Sequence, residues 1–210
     1  MSRGKHPLFA RFWAFVAPWA DRRGMAEVRE RSLAHATGRV LEVGAGSGEN
    51  FVLYPQEVTD VLAVEPEPYL RDKSQTKATA ARADVTVVDG TAEDLPAGDG
   101  EFDTVVASFV LCSVSDPDRV ATEMRRVLKP GGRVVLLEHV QAPPTRGRLR
   151  RWQERLTPAW RRVFAGCHLN RDTTALLERH GFDTSNVSHF DLPDLPVLRP
   201  HIGGYAVRGA

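Results

Sequence analysis

The 210-residue chain carries 28 Lys and Arg against 27 Asp and Glu, a formal charge of +1, with 42% hydrophobic and 26% charged residues. This is the make-up of one ordinary globular domain; it excludes wholesale disorder and offers no global pull towards nucleic acid. Cys112 and Cys167 are the only cysteines, which excludes a disulfide framework, and no apolar run reaches membrane-spanning length, so a reducing cytoplasm is the expected address.

Residues 7–36 read as helical. Phe9, Phe12, Trp13 and Val16 recur at i, i+3, i+4 and i+7 and make one apolar face. Phe12 and Trp13 are therefore candidates to close over an acceptor as a lid; the alternatives are a face packed on the core and a weak contact with a membrane surface. From Arg39 the pattern changes. Val40–Val43, Val61–Glu65, Val85–Asp89, Phe102–Ser108 and Arg133–His139 read as five short apolar strands, with helices expected near 67–82 and 116–128 between them. Lys129-Pro130-Gly131-Gly132 reads as a helix stop. Strand and helix in alternation predict parallel pairing with right-handed crossovers. Residues 146–180 read as helical again, broken at Pro158, and the tail offers strands at 187–192 and 204–208.

The first strand runs into Glu42-Val43-Gly44-Ala45-Gly46-Ser47-Gly48-Glu49-Asn50. Glycines two apart let the backbone turn sharply and approach a ligand closely. A dinucleotide site would follow G-x-G-x-x-G; here the spacing is G-x-G-x-G, and Glu42 disfavours a pyrophosphate and favours a cationic group, such as the amine of a methionine moiety. Glu65 ends the second strand about twenty residues on, followed by Pro66, where a carboxylate accepts hydrogen bonds from ribose hydroxyls. The third strand ends in Asp89-Gly90-Thr91-Ala92, placed for an adenine.

LEVGAGSGEN, AVEPEP, DGTAEDLP, FDTVVASFVLCSV and EMRRVLKPGGRVVLLEH, in that order, resemble the class I S-adenosylmethionine-dependent methyltransferases over residues 38–140. The resemblance implies an α/β Rossmann-like fold: seven mostly parallel strands in the order 3-2-1-4-5-7-6, strand 7 antiparallel, with helices on both faces. It implies S-adenosyl-L-methionine across the carboxyl ends of strands 1, 2 and 4. Glu42, Gly44, Ala45, Gly46 and Gly48 would hold the methionine end, Glu65 the ribose, Thr91 and Ala92 would flank the adenine, and Ser108 would line the floor. Asn50, Pro66 and Gly90 join them as cofactor-binding candidates. Thr91 departs from the family, many members of which carry an aspartate there. EVGAGSGENFVLYP, SFVLCSV, LEHV, Gly166-Cys167 and RPHIGGYAVR more closely resemble the methyltransferase-like thiol S-methyltransferases, which implies a small apolar thiol as acceptor. Animal members carry an N-terminal membrane anchor; this chain has only the short amphipathic segment. One domain is expected throughout, with an N-terminal helical cap (1–37), a cofactor-binding core (38–140) and C-terminal helices with the last two strands (141–210).

On the acceptor side, methyl transfer from a sulfonium requires a positioned, desolvated and deprotonated nucleophile. His139 is the candidate base or thiolate-stabilising group, the alternative being a structural histidine. Cys112, Ser113 and His168 are candidate pocket residues, and Cys167 is read as an ordinary small hydrophobe. No metal is expected, because histidines and cysteines show no tight ligand spacing. Arg146, Arg148, Arg150, Arg151, Arg155, Arg161 and Arg162, with an apolar stripe of Leu149, Trp152 and Leu156, read as a basic amphipathic helix, first as a solvated face on a cap helix and alternatively as a contact for anionic lipid, nucleic acid or an acidic substrate. That leaves three rivals to the small thiol: an oxygen, nitrogen or carbon acceptor such as a quinone-like metabolite, a nucleic-acid binder using the arginine helix, and a nicotinamide dehydrogenase. No nucleic-acid partner is expected, and the oligomeric state is open.

Overall fold

Alternation within the strands decides the layering. Strands β1 (Gly38–Val43), β2 (Val58–Val64), β3 (Asp84–Val88), β4 (Phe102–Ser108) and β5 (Leu128–His139) send successive apolar side chains to opposite faces, and both faces are covered. Leu41, Val43, Val105, Val134 and Leu136 pack with Val120 and Met124 of α4 (Pro117–Val127) and Leu176 and Leu177 of α6 (Thr173–Arg179). Val40, Val61, Val106 and Val135 pack on the other face with Leu33 of α2 (Ala26–Leu33), Phe51 and Tyr54.

The computed structural model describes residues 7–193 and 196–209. The first six residues of the expected cap, and Asp194 and Leu195 in the proline-rich connection, lie outside the described residues. With β6 (Phe182–Asp191) and β7 (Pro200–Arg208) the strands form one sheet in the order β3-β2-β1-β4-β5-β7-β6. The first five pair in parallel, whereas β7 runs antiparallel to β5 and β6. The order reverses between β1 and β4, which makes the carboxyl ends of those strands the place where such sheets bind ligands. Two capped helices complete the crossovers. Glu67 accepts from the Leu70 amide ahead of α3 (Pro68–Ala78), and Asp116 from the Arg119 amide ahead of α4; each helix has proline in its first turn.

Three expectations are corrected. The N-terminal helical stretch is two helices: α1 (Pro7–Ala20) carries Pro18 without interruption, and the break comes in the wide turn Asp21–Met25, where Gly24 takes φ 106°. Helix α5 (Gly147–Val163) runs through Pro158 and ends near Ala165 and Gly166, both at positive φ. Bonds on both sides of the proline hold it: Gln153 bonds the Ala142 amide and the Val140 and Val197 carbonyls, and the Trp160 indole reaches the Cys167 sulfur. The inward face of α5 is therefore Gln153, Thr157 and Trp160, while Trp152 and Leu156 of the expected apolar stripe are exposed. No helix among the described residues is long and apolar enough to cross a membrane.

Candidate active site

The loop after β1 turns through three glycines at positive φ: Gly44 (63°), Gly46 (59°) and Gly48 (82°). A Cβ on Gly44 would stand 2.7 Å from Val110, and one on Gly48 2.8 Å from the Phe51 ring, so glycine is required by contact as well as by conformation. The Gly46 amide donates to one oxygen of Glu65 (2.8 Å) and the Glu67 amide to the other (2.9 Å). Glu65 is buried, and burial pushes its carboxyl up to about 7 against the pull of those two amides. Two of its roughly four lone-pair sites remain available.

Glu42 shares the parity of Val40 and points to the face carrying Tyr54. Its two oxygens accept from Asn50 Nδ2 (2.8 Å) and the Tyr54 hydroxyl (2.7 Å), and burial still raises its carboxyl to about 7. Asn50 also donates to Ser108 Oγ (3.3 Å) and accepts from buried Arg29 (3.2 Å), which is paired with Asp21. Arg29 and Tyr54 were not among the expected site residues. Tyr54 lies within the quoted EVGAGSGENFVLYP stretch; Arg29 sits in a helix rich in charge, with no sequence signal to separate it from its neighbours. At the next strand ends, Asp89, Gly90 and Thr91 line a depression with Asp94, Leu95 and Pro96, and Ala92 is buried beside it. Asp89 and the Glu65 carbonyl are both held by Arg71, and Pro66 leads into α3.

Beyond β4 the chain makes a tight turn in which Phe109 adopts φ 58°. Glu138, fully buried, holds that turn: it accepts from the amides of Val110 (2.6 Å), Leu111 (2.8 Å) and Cys112 (3.3 Å). Burial raises its carboxyl to about 7 despite these bonds. The Arg171 guanidinium bonds the Leu111 and Val114 carbonyls, and the His168 amide bonds the Cys112 carbonyl (2.7 Å). Cys112, His139 and Cys167 come together here, their donor atoms all within 4.8 Å of one another. His139 Nε2 lies 2.9 Å from Cys167 Sγ, and Trp160 Nε1 donates to the same sulfur at 3.3 Å. The hydrogen bond from Cys112, with those from His139 and Trp160, holds the Cys167 thiol well below its ordinary range, while the same Cys112–Cys167 bond and burial push Cys112 up. Burial depresses His139, but Cys167 and Glu138 together outweigh it and the net direction is upward. His139 Nδ1 is buried with no hydrogen-bond partner among the described residues. Ser113 Oγ sits 3.4 Å from Cys112 Sγ. Spacing along the chain does not bring these three donors together; the fold does, from residues 27 and 28 positions apart.

A model of the methyltransferase domain matches residues 41–136. Human thiol S-methyltransferase TMT1A is 37% identical over 80% of this chain and 70% of its own length, and human TMT1B is 36% identical over 95% and 86%. The chain belongs to the class I S-adenosylmethionine-dependent methyltransferases. Among solved structures, an S-adenosylmethionine-dependent methyltransferase of Thermotoga maritima superposes with a TM-score of 0.67, covering 95% of each chain at 24% identity, which supports the fold alone. The methyl donor is accordingly S-adenosyl-L-methionine, and the enzyme is a methyltransferase of small molecules.

In this methyltransferase α1 meets the site differently from expectation. Its buried positions are Ala10 and Ala17, whose small side chains let the helix approach closely, whereas Leu8, Phe12, Phe15 and Trp19 are exposed. Phe12 is half exposed, its ring 6.4 Å from that of Phe9. Trp13 faces the glycine loop: its indole nitrogen lies 3.6 Å from where a Cβ on Gly46 would stand. Trp13→Ala is expected to weaken product-cofactor binding by about three- to tenfold, since a covering aromatic is lost, and Phe12→Ala to leave it unchanged. Calorimetric titration of both variants checks this; equal effects would remove the distinction between the two faces.

Proposed function

We propose that this enzyme methylates the sulfur of a small apolar thiol. The observation that carries the reading is the surroundings of His139, a buried ring at the end of β5 whose Nε2 lies 2.9 Å from the Cys167 sulfur. Among the described residues no unengaged carboxylate base stands at the ends of β4 and β5, because Glu138 is occupied by three amides. An oxygen acceptor would need such a base; a thiol with an ordinary pKa near 8.5 needs only modest help. The likeness to TMT1A and TMT1B supports the same acceptor atom.

In this reading Glu42, through its network with Asn50, Tyr54 and Arg29, sets the negative charge that receives the methionine ammonium. Gly44, Ala45, Gly46 and Gly48 give the backbone its close approach. Glu65 takes the ribose hydroxyls, Pro66, Gly90, Thr91 and Ala92 border the adenine, and Ser108 stands on the floor. Cys112, Ser113, His168 and Trp13 border the acceptor. The thiolate attacks the methyl carbon in line, the new S–C bond forms as the C–S bond to the sulfonium breaks, and the products are a thioether and S-adenosylhomocysteine. The thiol's proton passes to solvent before transfer, and His139 stabilises the anion.

Initial rates for matched pairs, an alkyl thiol and its alcohol, thiophenol and phenol, check the acceptor atom. The thiols are expected to react, with rate rising with pH through the thiol's ionisation, and His139→Ala to lower turnover without abolishing it, since the sulfonium charge remains. Methylation of the oxygen members alone would overturn the reading.

A further inference from the structure

We propose that Cys112, His139 and Cys167 form a three-ligand zinc site whose fourth position takes the acceptor sulfur. The proposal rests on the thiol reading for its fourth ligand only; the three protein ligands stand on geometry. The two sulfurs and the imidazole nitrogen lie within 4.8 Å of one another, and each belongs to a separately anchored segment. Glu138 pins the Cys112 turn, the pairing of His139 with His201 fixes the end of β5, and the Cys167 amide is tied to the Phe164 carbonyl (2.9 Å).

Two thiolates and an imidazole are the borderline-soft set that zinc takes, while hard cations need oxygens. The nearby carboxylate, Glu138, is engaged by backbone amides. Charge favours the same ion: a divalent cation with two thiolates and a neutral imidazole is neutral where Cys112 and His139 are buried, and the Arg171 guanidinium nearby offsets the single negative charge that a bound acceptor thiolate adds. The Trp160 N–H already aimed at Cys167 is the kind of donor that a metal-bound thiolate accepts. Tetrahedral zinc with bonds of roughly 2.0–2.3 Å sets neighbouring donors roughly 3.5 Å apart, so the 2.9 Å between His139 and Cys167 must open by about half an ångström. Three protein ligands leave one position for chemistry. There the acceptor thiol loses its proton to solvent as its sulfur binds, the bound thiolate attacks the sulfonium methyl, and the neutral thioether formed is a poor ligand and leaves.

The test uses the full chain, purified reduced and without chelator. Elemental mass spectrometry is expected to find one zinc per chain, and exchange with cobalt(II) to give a sulfur-to-cobalt charge-transfer band that strengthens when an alkyl thiol is added. His139→Ala and Cys167→Ala, checked for retained cofactor binding as proof of folding, are expected to lose metal affinity by more than about a hundredfold, exceeding the loss typical of an outer partner. A reduced chain that binds cofactor but takes up no stoichiometric metal and shows no such band overturns the site, even if thiols are methylated. A metal-loaded chain whose band ignores added thiols overturns the fourth position, and oxygen-only methylation by that chain counts separately against the acceptor reading.

Discussion

Glu65→Ala is expected to bind S-adenosylhomocysteine at least about tenfold more weakly than the parent, a loss of roughly 1.4 kcal/mol or more. Hydrogen bonds to a charged group are worth roughly 1.5–3 kcal/mol, and two ribose hydroxyls are assigned to this carboxylate. The substitution also frees the Gly46 and Glu67 amides, so the loop that must sit against the methionine end loses its tether to β2. Glu65→Gln separates these effects. Its carbonyl still accepts from one amide, but its amide group offers donors where the ribose also offers donors, so it is expected to fall between parent and alanine. Calorimetry with the product cofactor reads all three. An unchanged dissociation constant in the alanine variant would remove the ribose assignment.

The parallel core was legible because its strands are short, apolar and covered on both faces, which leaves little else for Val40–Val43 or Phe102–Ser108 to be. Strand order and the antiparallel β7 came from family resemblance, since periodicity says nothing of order. Glu42 and Glu65 were legible as acids at consecutive strand ends. The acceptor side was harder to read, for two physical reasons. Helix faces were judged by the size of apolar side chains, and here small or polar residues go inside. Ala10 and Ala17 bring α1 close, while Gln153 is satisfied by backbone groups of residues 140, 142 and 197 that only the fold supplies. The second reason is distance along the chain. Cys112, His139 and Cys167 have no motif spacing, and their meeting follows from β4 lying beside β5 and from the segment after α5 being tied to the Cys112 carbonyl by the His168 amide.

The largest effect on stability is expected at Glu138. Glu138→Ala leaves the Val110, Leu111 and Cys112 amides without acceptors, at roughly 1–3 kcal/mol for each buried donor that finds no other partner. A net loss of about 3–5 kcal/mol lowers the melting temperature by roughly 10 °C in a chain of this size. It should also release the Phe109 turn, so turnover falls further than cofactor affinity. The pH dependence distinguishes this account from simple cavity formation. Burial raises the folded-state carboxyl from 4.5 to about 7, so its contribution to stability is fully present below 4.5 and is lost as pH rises towards 7. The difference is on the order of 3 kcal/mol, beyond which the contribution is level. The alanine variant lacks that dependence. The gap in melting temperature between parent and variant should therefore be widest at and below pH 4.5, narrow from there up to about pH 7 and stay constant above it. A gap that holds steady or widens over the same range would mean that the carboxylate is ionised throughout, its charge carried by the three amides and by Arg171 close by.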